Sequence, residues 1–240
     1  MESSAFDFVD FHSHILPGID DGSDSLETSL RMLGVLKEQG VGKVIATSHY
    51  YSFRETTSEF ISRRDDALYK LCRHINEQDL DLPEIISGAE VRLFPDISKD
   101  ENLPALCIDG TKNILIEMPY TTWSGWMYNE IYALITKGYT PIMAHIERFL
   151  GPVSEKEIMG KLLTMDVLVQ CNADSFMEWK ARRFIKKLIK QGRLTVIGSD
   201  CHNLGSRISH LDNAIEYINK KYGDEYLSVI MKNANYLIGK

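Results

Sequence analysis

Short runs of aliphatic and β-branched residues recur along the chain, separated by stretches whose apolar residues return every three or four positions. The runs fall at 7–12, 43–49, 84–90, 113–118, 140–145, 166–172 and 194–200, and each reads as a strand. In the first, Val9 and Phe11 alternate with polar neighbours. The helix after it has Asp24 as its expected N-cap, with Glu27 three residues on. Leu26, Leu30, Leu33 and Leu36 share one face of that helix, and Gly40 suits its C-terminal end. Further helices are predicted near 57–78, 126–137, 154–164 and 175–190, and a pair at 209–221 and 224–238 closes the chain. Only the third strand is followed by a loop, which carries Pro95 and Pro104.

Strands alternating with helices predict a parallel sheet with right-handed crossovers. Seven such units in 240 residues suit an α/β barrel slightly smaller than the common eight-unit one. An open doubly wound sheet is the alternative. No Gly/Ser linker or low-complexity segment divides the sequence, so one domain over 1–240 is expected.

Polar chemistry gathers where these strands end. The first finishes in His12 and His14, the second in His49, the third in Glu90, the fourth in Glu117, the fifth in His145, and the seventh in Asp200 and His202. In a parallel barrel all these ends lie on one face, so residues distant in sequence converge. His12 and His14 are two apart on a strand and point to the same side, and Asp200 and His202 are expected to repeat that geometry. The sixth strand offers only Asn172 and Asp174, which take no role in this reading.

Any one of these histidines alone reads as a structural, hydrogen-bonded residue; the set reads as a metal site. Imidazole and carboxylate without thiolate favour manganese, iron or zinc over a purely oxygen-liganded magnesium or calcium. The donors outnumber what one ion needs, so two or three ions sharing carboxylates are expected. Such clusters suit phosphoester hydrolysis. Asp21 is either a further ligand or a turn residue before Gly22. Arg148 and Arg207 fall in loops on the same face, and their planar forks suit phosphate oxygens; an ordinary surface salt bridge is the alternative. His74 and His210 read as solvated or locally bonded. The aromatic stretches 49–53 and 119–128 either wall a substrate cleft or pack loop against helix.

Charge and composition exclude several classes. A net charge of −7 and a pI near 5.5 leave no basic footprint for nucleic acid or anionic lipid. No dinucleotide or P-loop glycine motif appears. Cys72, Cys107, Cys171 and Cys201 lie far apart, as buried thiols of a reducing compartment do. With no signal-like start and no apolar run of spanning length, a soluble cytoplasmic protein without membrane insertion is expected.

"CHNLGSR" at 201–207 matches the minimal cysteine, five residues, arginine signature of cysteine-dependent tyrosine phosphatases. Against that alternative, Asp200 beside the cysteine would raise a thiol pKa rather than lower it. Ile208 follows Arg207 where a hydroxyl residue usually stands. The alternative also leaves the other strand-end donors without a role.

The segments "DFHSHILPGIDDGSDSLETSL", "ATSHY", "GAEV", "LIEM", "AHIERF" and "SDCHN" resemble, in order and spacing, the bacterial tyrosine-protein phosphatases of capsule and exopolysaccharide systems (the CpsB/CapC type). These belong to the polymerase and histidinol phosphatase (PHP) superfamily. The resemblance runs from about residue 8 to residue 210; the C-terminal helices match only in general character. It implies a distorted (βα)7 TIM-like barrel with a three-metal cluster, usually manganese. By position it implies His12, His14, Asp21, His49, Glu90, Glu117, His145, Asp200 and His202 as ligands, and Arg148 and Arg207 as phosphate contacts. Asp21 gains here a role that spacing alone leaves open. Cys201, between Asp200 and His202, is the one departure from the family motif. The implied substrate is phosphotyrosine on the tyrosine-rich tail of a membrane-bound autokinase that controls polysaccharide export. Alternatives are another PHP phosphoesterase such as histidinol phosphatase, or a non-catalytic metal-binding module.

Overall fold

The structure, a computed structural model, describes residues 8–239. The expected start of the first strand at residue 7, and the extreme ends of the expected 1–240 domain, lie outside the described residues.

The elements run β1 (Phe8–Ser13), α1 (Leu26–Glu38), β2 (Val41–Ala46), β3 (His49–Tyr50), α2 (Thr57–Glu77), β4 (Glu84–Ser87) and β5 (Glu90–Arg92). The short α3 (Leu103–Leu106) leads to β6 (Asn113–Glu117), α4 (Gly125–Thr136) and β7 (Thr140–Met143). Then come α5 (Glu155–Gly160), β8 (Leu168–Asn172), α6 (Trp179–Lys190), β9 (Val196–Gly198) and α7 (Leu211–Leu237).

All paired strands are parallel, in the orders β1-β2-β4 and β3-β5-β6-β7-β8-β9. Only Thr47 and Ser48 separate β2 from β3, and only Gly88 and Ala89 separate β4 from β5. The second and third expected strands are therefore each broken in two. At the other edge Ser13 bridges Cys201, and the Asp200 N–H donates to the His12 carbonyl at 2.7 Å. The last strand thereby comes back beside the first. The result is an α/β fold built on a curled parallel sheet.

Two apolar clusters fill it. The larger lies between sheet and helices and includes Leu33 and Leu36 of α1, each fully buried and each stabilising by about 1.5–3 kcal/mol. The smaller joins Val9, Phe11, Ile45, Leu115, Ile142 and Val196 to the end of α7. Strands far apart along the sheet meet in this cluster, so it occupies the concave side.

Most expected helices appear, with local corrections. Ser25, not Asp24, caps α1, its hydroxyl accepting from the Thr28 N–H at 3.2 Å. Asp24 instead accepts from the Thr28 hydroxyl at 2.7 Å. Gly40 takes a φ of 83° just beyond the helix, as a helix-terminating glycine should. The helix expected at 175–190 begins only at Trp179, after a single tight turn at Asp174–Phe176. Gly223, at φ 82° and ψ 168°, kinks α7, so the expected closing pair of helices is present as two segments that meet at that kink.

Candidate metal centre

His12, on β1, and His14, just past its end, are fully buried. Two glycines make room for them. A Cβ on Gly198 would lie 2.4 Å from the His12 Cβ, and one on Gly22 would lie 2.3 Å from the His14 carbonyl oxygen. No other residue type fits at either position.

Asp200 and His202 do not sit on a strand, as was expected of them; they lie beyond its end. β9 ends at Gly198, and Asp200 follows with a φ of 53°. His145 likewise lies two residues beyond β7, at φ 31°. Both are non-glycine residues in the left-handed region, a strained conformation that concentrates at functional sites. From there both side chains reach the same cluster.

There they meet the others. Glu90 Oε2 lies 2.8 Å from His49 Nδ1, 3.2 Å from His12 Nε2 and 3.4 Å from His14 Nε2. Glu90 Oε1 is 2.7 Å from His145 Nε2, and Glu117 Oε1 is 4.0 Å from the same nitrogen. Asp200 Oδ1 is 3.3 Å from His14 Nε2 and 3.6 Å from His12 Nε2. The rings of His14 and His202 stack at 3.7 Å. Eight of the nine expected ligands fall into four overlapping groups: His14/His49/His202, His12/His14/Asp200, His12/Glu90/His145 and His49/Glu90/Glu117. The donor atoms of each group lie within 4.8 Å of one another.

Asp21 is the exception. Its Oδ1 stands 3.4 Å from His49 Nε2 and 3.5 Å from His202 Nε2, but its side chain is 62% exposed and Arg207 holds its other oxygen at 3.1 Å. It is at the rim of the cluster and belongs to none of the four groups.

The donors fit divalent ions. Glu90 Oε2, Glu117 Oε2, His49 Nδ1, His145 Nδ1 and His202 Nε2 are buried and make no hydrogen bond among the described residues. Buried polar atoms without partners are rare and call for a ligand. No thiolate joins the set, which keeps it a nitrogen and oxygen site.

Several residues that the strand-end pattern did not single out hold these donors in place. Asp20 Oδ2 sits 2.7 Å from His14 Nδ1 and accepts from the His49 N–H at 2.8 Å. Gln170 Oε1 accepts from the His145 N–H at 2.7 Å and lies 3.2 Å from His12 Nδ1. An amide oxygen only accepts, so His12 carries a proton on Nδ1, which leaves Nε2 directed at the cluster. The His202 Nδ1–H donates to the Asp200 carbonyl at 2.8 Å, which frees its Nε2 in the same way. Such outer partners fix tautomer and ring orientation. A buried glutamine inside an apolar strand was the available signal for Gln170.

Charge is strongly displaced here. Burial opposes ionising Asp200, but His12, His14 and His145 outweigh it and hold the carboxyl well below its ordinary range. Glu90 is held low in the same way, with His12 and His49 overcoming burial. His14 is driven up, against burial, by Asp20, Asp200 and Glu90. His202 is pushed down to about 3 by burial and by His14.

Beside the cluster opens a cleft of about 240 Å³, lined among others by Arg148, Asn172, Asp174, Asp200 and Arg207. Arg148 donates to Asp200 Oδ2 at 3.0 Å, and Arg207 to Asp200 Oδ1 at 3.4 Å. Asn172 Nδ2 donates to the same Asp200 Oδ2 at 2.8 Å. Both arginines thus stand at the cluster with donors left over. The aromatic stretches divide. Tyr50 and Trp123 are buried core, whereas Tyr51 stacks on His49 at 5.1 Å and lines a second cleft with Arg54 and Arg63. His74 and His210 take no part in the cluster.

Cys201 is buried, and burial with Asp10 beside it pushes its thiol up to about 12. That is the opposite of a nucleophilic thiolate.

Among the described residues no helix is long and apolar enough to cross a membrane. The family model for capsular polysaccharide synthesis, CpsB/CapC, matches residues 8–239. The chain is 26% identical to the tyrosine-protein phosphatase YwqE of Bacillus subtilis, over 96% of this chain and 91% of that protein. The structure resembles a crystal structure from work on YwqE of Bacillus subtilis and CpsB of Streptococcus pneumoniae, described as unique metal-dependent tyrosine phosphatases. The TM-score is 0.82 at 26% identity, covering 96% of this chain and 94% of the other. The phosphotriesterase homology protein of Escherichia coli, 12% identical with a TM-score of 0.56 over 99% of this chain and 100% of that one, shares the fold alone. By sequence and by structure, the chain belongs to the CpsB/CapC family of capsular polysaccharide synthesis proteins.

Proposed function

We propose that this chain is a metal-dependent protein-tyrosine phosphatase, acting in the cytoplasm on a bacterial tyrosine autokinase linked to capsule or exopolysaccharide production. In this reading the curled sheet is the distorted (βα)7 barrel of the PHP superfamily. His12, His14, Asp21, His49, Glu90, Glu117, His145, Asp200 and His202 hold two or three divalent ions, manganese first and iron or zinc as alternatives. The observation that carries the reading is the convergence of four overlapping donor groups beside a cleft lined by Arg148 and Arg207.

When bound, such ions supply a low-pKa water and Lewis-acid stabilisation of phosphoryl oxygens. The remaining work falls to the side chains. Arg148 and Arg207 pair with the phosphoryl oxygens and neutralise their charge as it builds in line with the attacking water. Asp20 and Gln170 keep the His14 and His12 rings in orientation. An oxygen–phosphorus bond forms, the phosphorus–phenolic oxygen bond breaks, and the tyrosine hydroxyl, with a pKa near 10, takes a proton from water. No covalent phosphoenzyme is required.

The test joins metal analysis to activity on one sample. Chelation should abolish hydrolysis of a phosphotyrosine peptide, and added manganese should restore it. Full activity in excess chelator would overturn the reading. Faster turnover of histidinol phosphate than of the peptide would move the chain to the small-molecule phosphoesterases. Metal content without any hydrolysis would make it a binding module.

A further inference from the structure

The outward face of α6 is out of keeping with the rest of the molecule. Ala181, Phe184, Ile185, Leu188 and Ile189 bury the inner face. The other seven positions are Trp179 and six cations: Lys180, Arg182, Arg183, Lys186, Lys187 and Lys190. The chain as a whole carries −7.

Helix stability does not account for this face. Lys187 and Lys190 in the last turn suit the helix dipole, but Lys180, Arg182 and Arg183 stand near the opposite end, where cations are unfavourable. Arg182 and Lys186, Arg183 and Lys187, and Lys186 and Lys190 are like charges at i and i+4, each pair costing a few tenths of a kcal/mol. Neighbouring acids relieve little of it. Lys187 pairs with Glu155, and Arg182 lies 5.9 Å from the Tyr217 ring. Among the described residues Lys180, Arg183, Lys186 and Lys190 have no ion-pair partner.

The face is also continuous with the cleft. Arg148, Glu178 and Ala181 line both the cleft at the metal cluster and the adjoining groove that contains Tyr120 and Lys180. Leu150 and Lys180 carry that groove into a third, lined by Trp179 and Arg183. Trp179 is 69% exposed. The acids along the way gather at the cleft end: Asp200 is held by Arg148 and Arg207, Glu147 accepts from the Asn172 N–H at 2.8 Å, and Asp174 and Glu178 line the cleft with them; beyond it the third groove has Glu155, paired with Lys187.

We infer that the outward face of α6 docks an acidic segment of the polypeptide whose phosphotyrosine enters the cleft. The inference rests on the phosphotyrosine reading above. A twelve-residue helix is about 18 Å long, which an extended chain spans in about five or six residues. Substrate leaving the cleft by this groove therefore runs its flanking residues past Lys180, Trp179 and Arg183 and on to Lys186 and Lys190. Carboxylates there gain ion pairs with unpartnered cations, and Trp179 offers a flat face to the chain. A concave path leading out of the cleft fits a polypeptide better than the plane of a lipid surface.

The test uses the full chain loaded with manganese and the triple variant Arg183→Gln, Lys186→Gln, Lys190→Gln, which leaves the cleft and the buried face of α6 intact. Substrates are p-nitrophenyl phosphate and phosphotyrosine peptides carrying five glutamates, or five glutamines, on the N-terminal or the C-terminal side. An acidic peptide of one polarity should show a KM about tenfold below its glutamine counterpart at low salt, the summed worth of a few screened surface ion pairs. The preference should shrink as salt rises and vanish in the variant, with p-nitrophenyl phosphate turnover unchanged. Equal KM values for acidic and neutral peptides, or a preference that survives in the variant, would overturn the inference. Equal peptides together with variant-sensitive binding to phosphatidylserine vesicles would overturn it in favour of a lipid surface. Should no ester be hydrolysed, the functional reading fails on its own. Docking is then read from fluorescence anisotropy of a labelled, unphosphorylated acidic peptide: binding lost in the variant supports it, and no binding to the unmodified chain sinks it.

Discussion

Asp10 and Glu90 are both fully buried carboxylates, and the fold treats them in opposite ways. Asp10 is saturated. Its Oδ1 accepts from the Ser199 N–H at 2.7 Å and the His12 N–H at 3.3 Å, and its Oδ2 from the Ser199 hydroxyl at 2.6 Å. With burial outweighing those bonds, its pKa rises to about 6. Glu90 is surrounded by four imidazoles, yet its Oε2 makes no hydrogen bond among the described residues. A buried polar group with every partner present holds a structure together. Glu90 is half-paired: His145 Nε2 meets Oε1 at 2.7 Å, while Oε2 stands unpaired beside three imidazoles, and a cation is what that open atom set accepts.

Glu90 differs from Asp10 most in what it touches: its oxygens belong to two of the four donor groups. Glu90→Ala should lower phosphotyrosine-peptide turnover by at least about a hundredfold and remove metal. Elemental analysis beside the assay checks both. Full metal content in this variant would mean that the crowding has another cause.

Asp10 should answer in stability instead. Asp10→Ala leaves the Ser199 and His12 donors unpaired and should cost about 3 kcal/mol in denaturant unfolding. Asp10→Asn keeps an acceptor for both N–H groups and should cost far less. The sign with pH follows from the raised value. Between the ordinary 3.8 and about 6 the unfolded chain has lost this proton while the folded chain keeps it, so stability falls as pH rises through that window. In metal-free protein the advantage of the parent chain over Asp10→Asn should therefore shrink from pH 4 to pH 6. A difference that stays flat would place the proton elsewhere.

This contrast was only half visible in the sequence. Alternating runs marked the strands, and the donors at their ends marked the cluster, because a parallel sheet brings all those ends to one face. Periodicity did not reveal that Thr47–Ser48 and Gly88–Ala89 break two strands, since the break is in hydrogen bonding rather than in apolar pattern. The Glu90 N–H is shared between the Thr47 and Ser48 carbonyls, each at 3.2 Å. Nor did it reveal that His145 and Asp200 leave their strands in left-handed conformations. Their aim depends on tertiary packing, which strand position does not encode. Asp10, Asp20 and Gln170 were hidden for a related reason: each acts on a residue distant in sequence or on a backbone N–H, and residue type alone does not say which. The cationic face of α6 was legible by composition, but net charge conceals a local patch.

Cys201 adjoins Asp10's network, its backbone N–H donating to the Ser199 hydroxyl at 3.1 Å, and it opens the cysteine, five residues, arginine sequence. In a thiolate phosphatase the loop's N–H groups must turn inward to cradle phosphate. Here the Arg207 carbonyl takes the His202 and Asn203 N–H groups, and Asn203 Oδ1 takes those of Gly205 and Arg207. Four donors of the would-be cradle are spent inside the loop, and the thiol is buried with its pKa near 12. Cys201→Ser should therefore leave kcat/KM for a phosphotyrosine peptide within about twofold and metal content unchanged, with at most a modest loss of stability from burying a hydroxyl. A near-total loss of turnover in a folded, metal-loaded Cys201→Ser protein would transfer the chemistry from the histidine and carboxylate cluster to the sulfur.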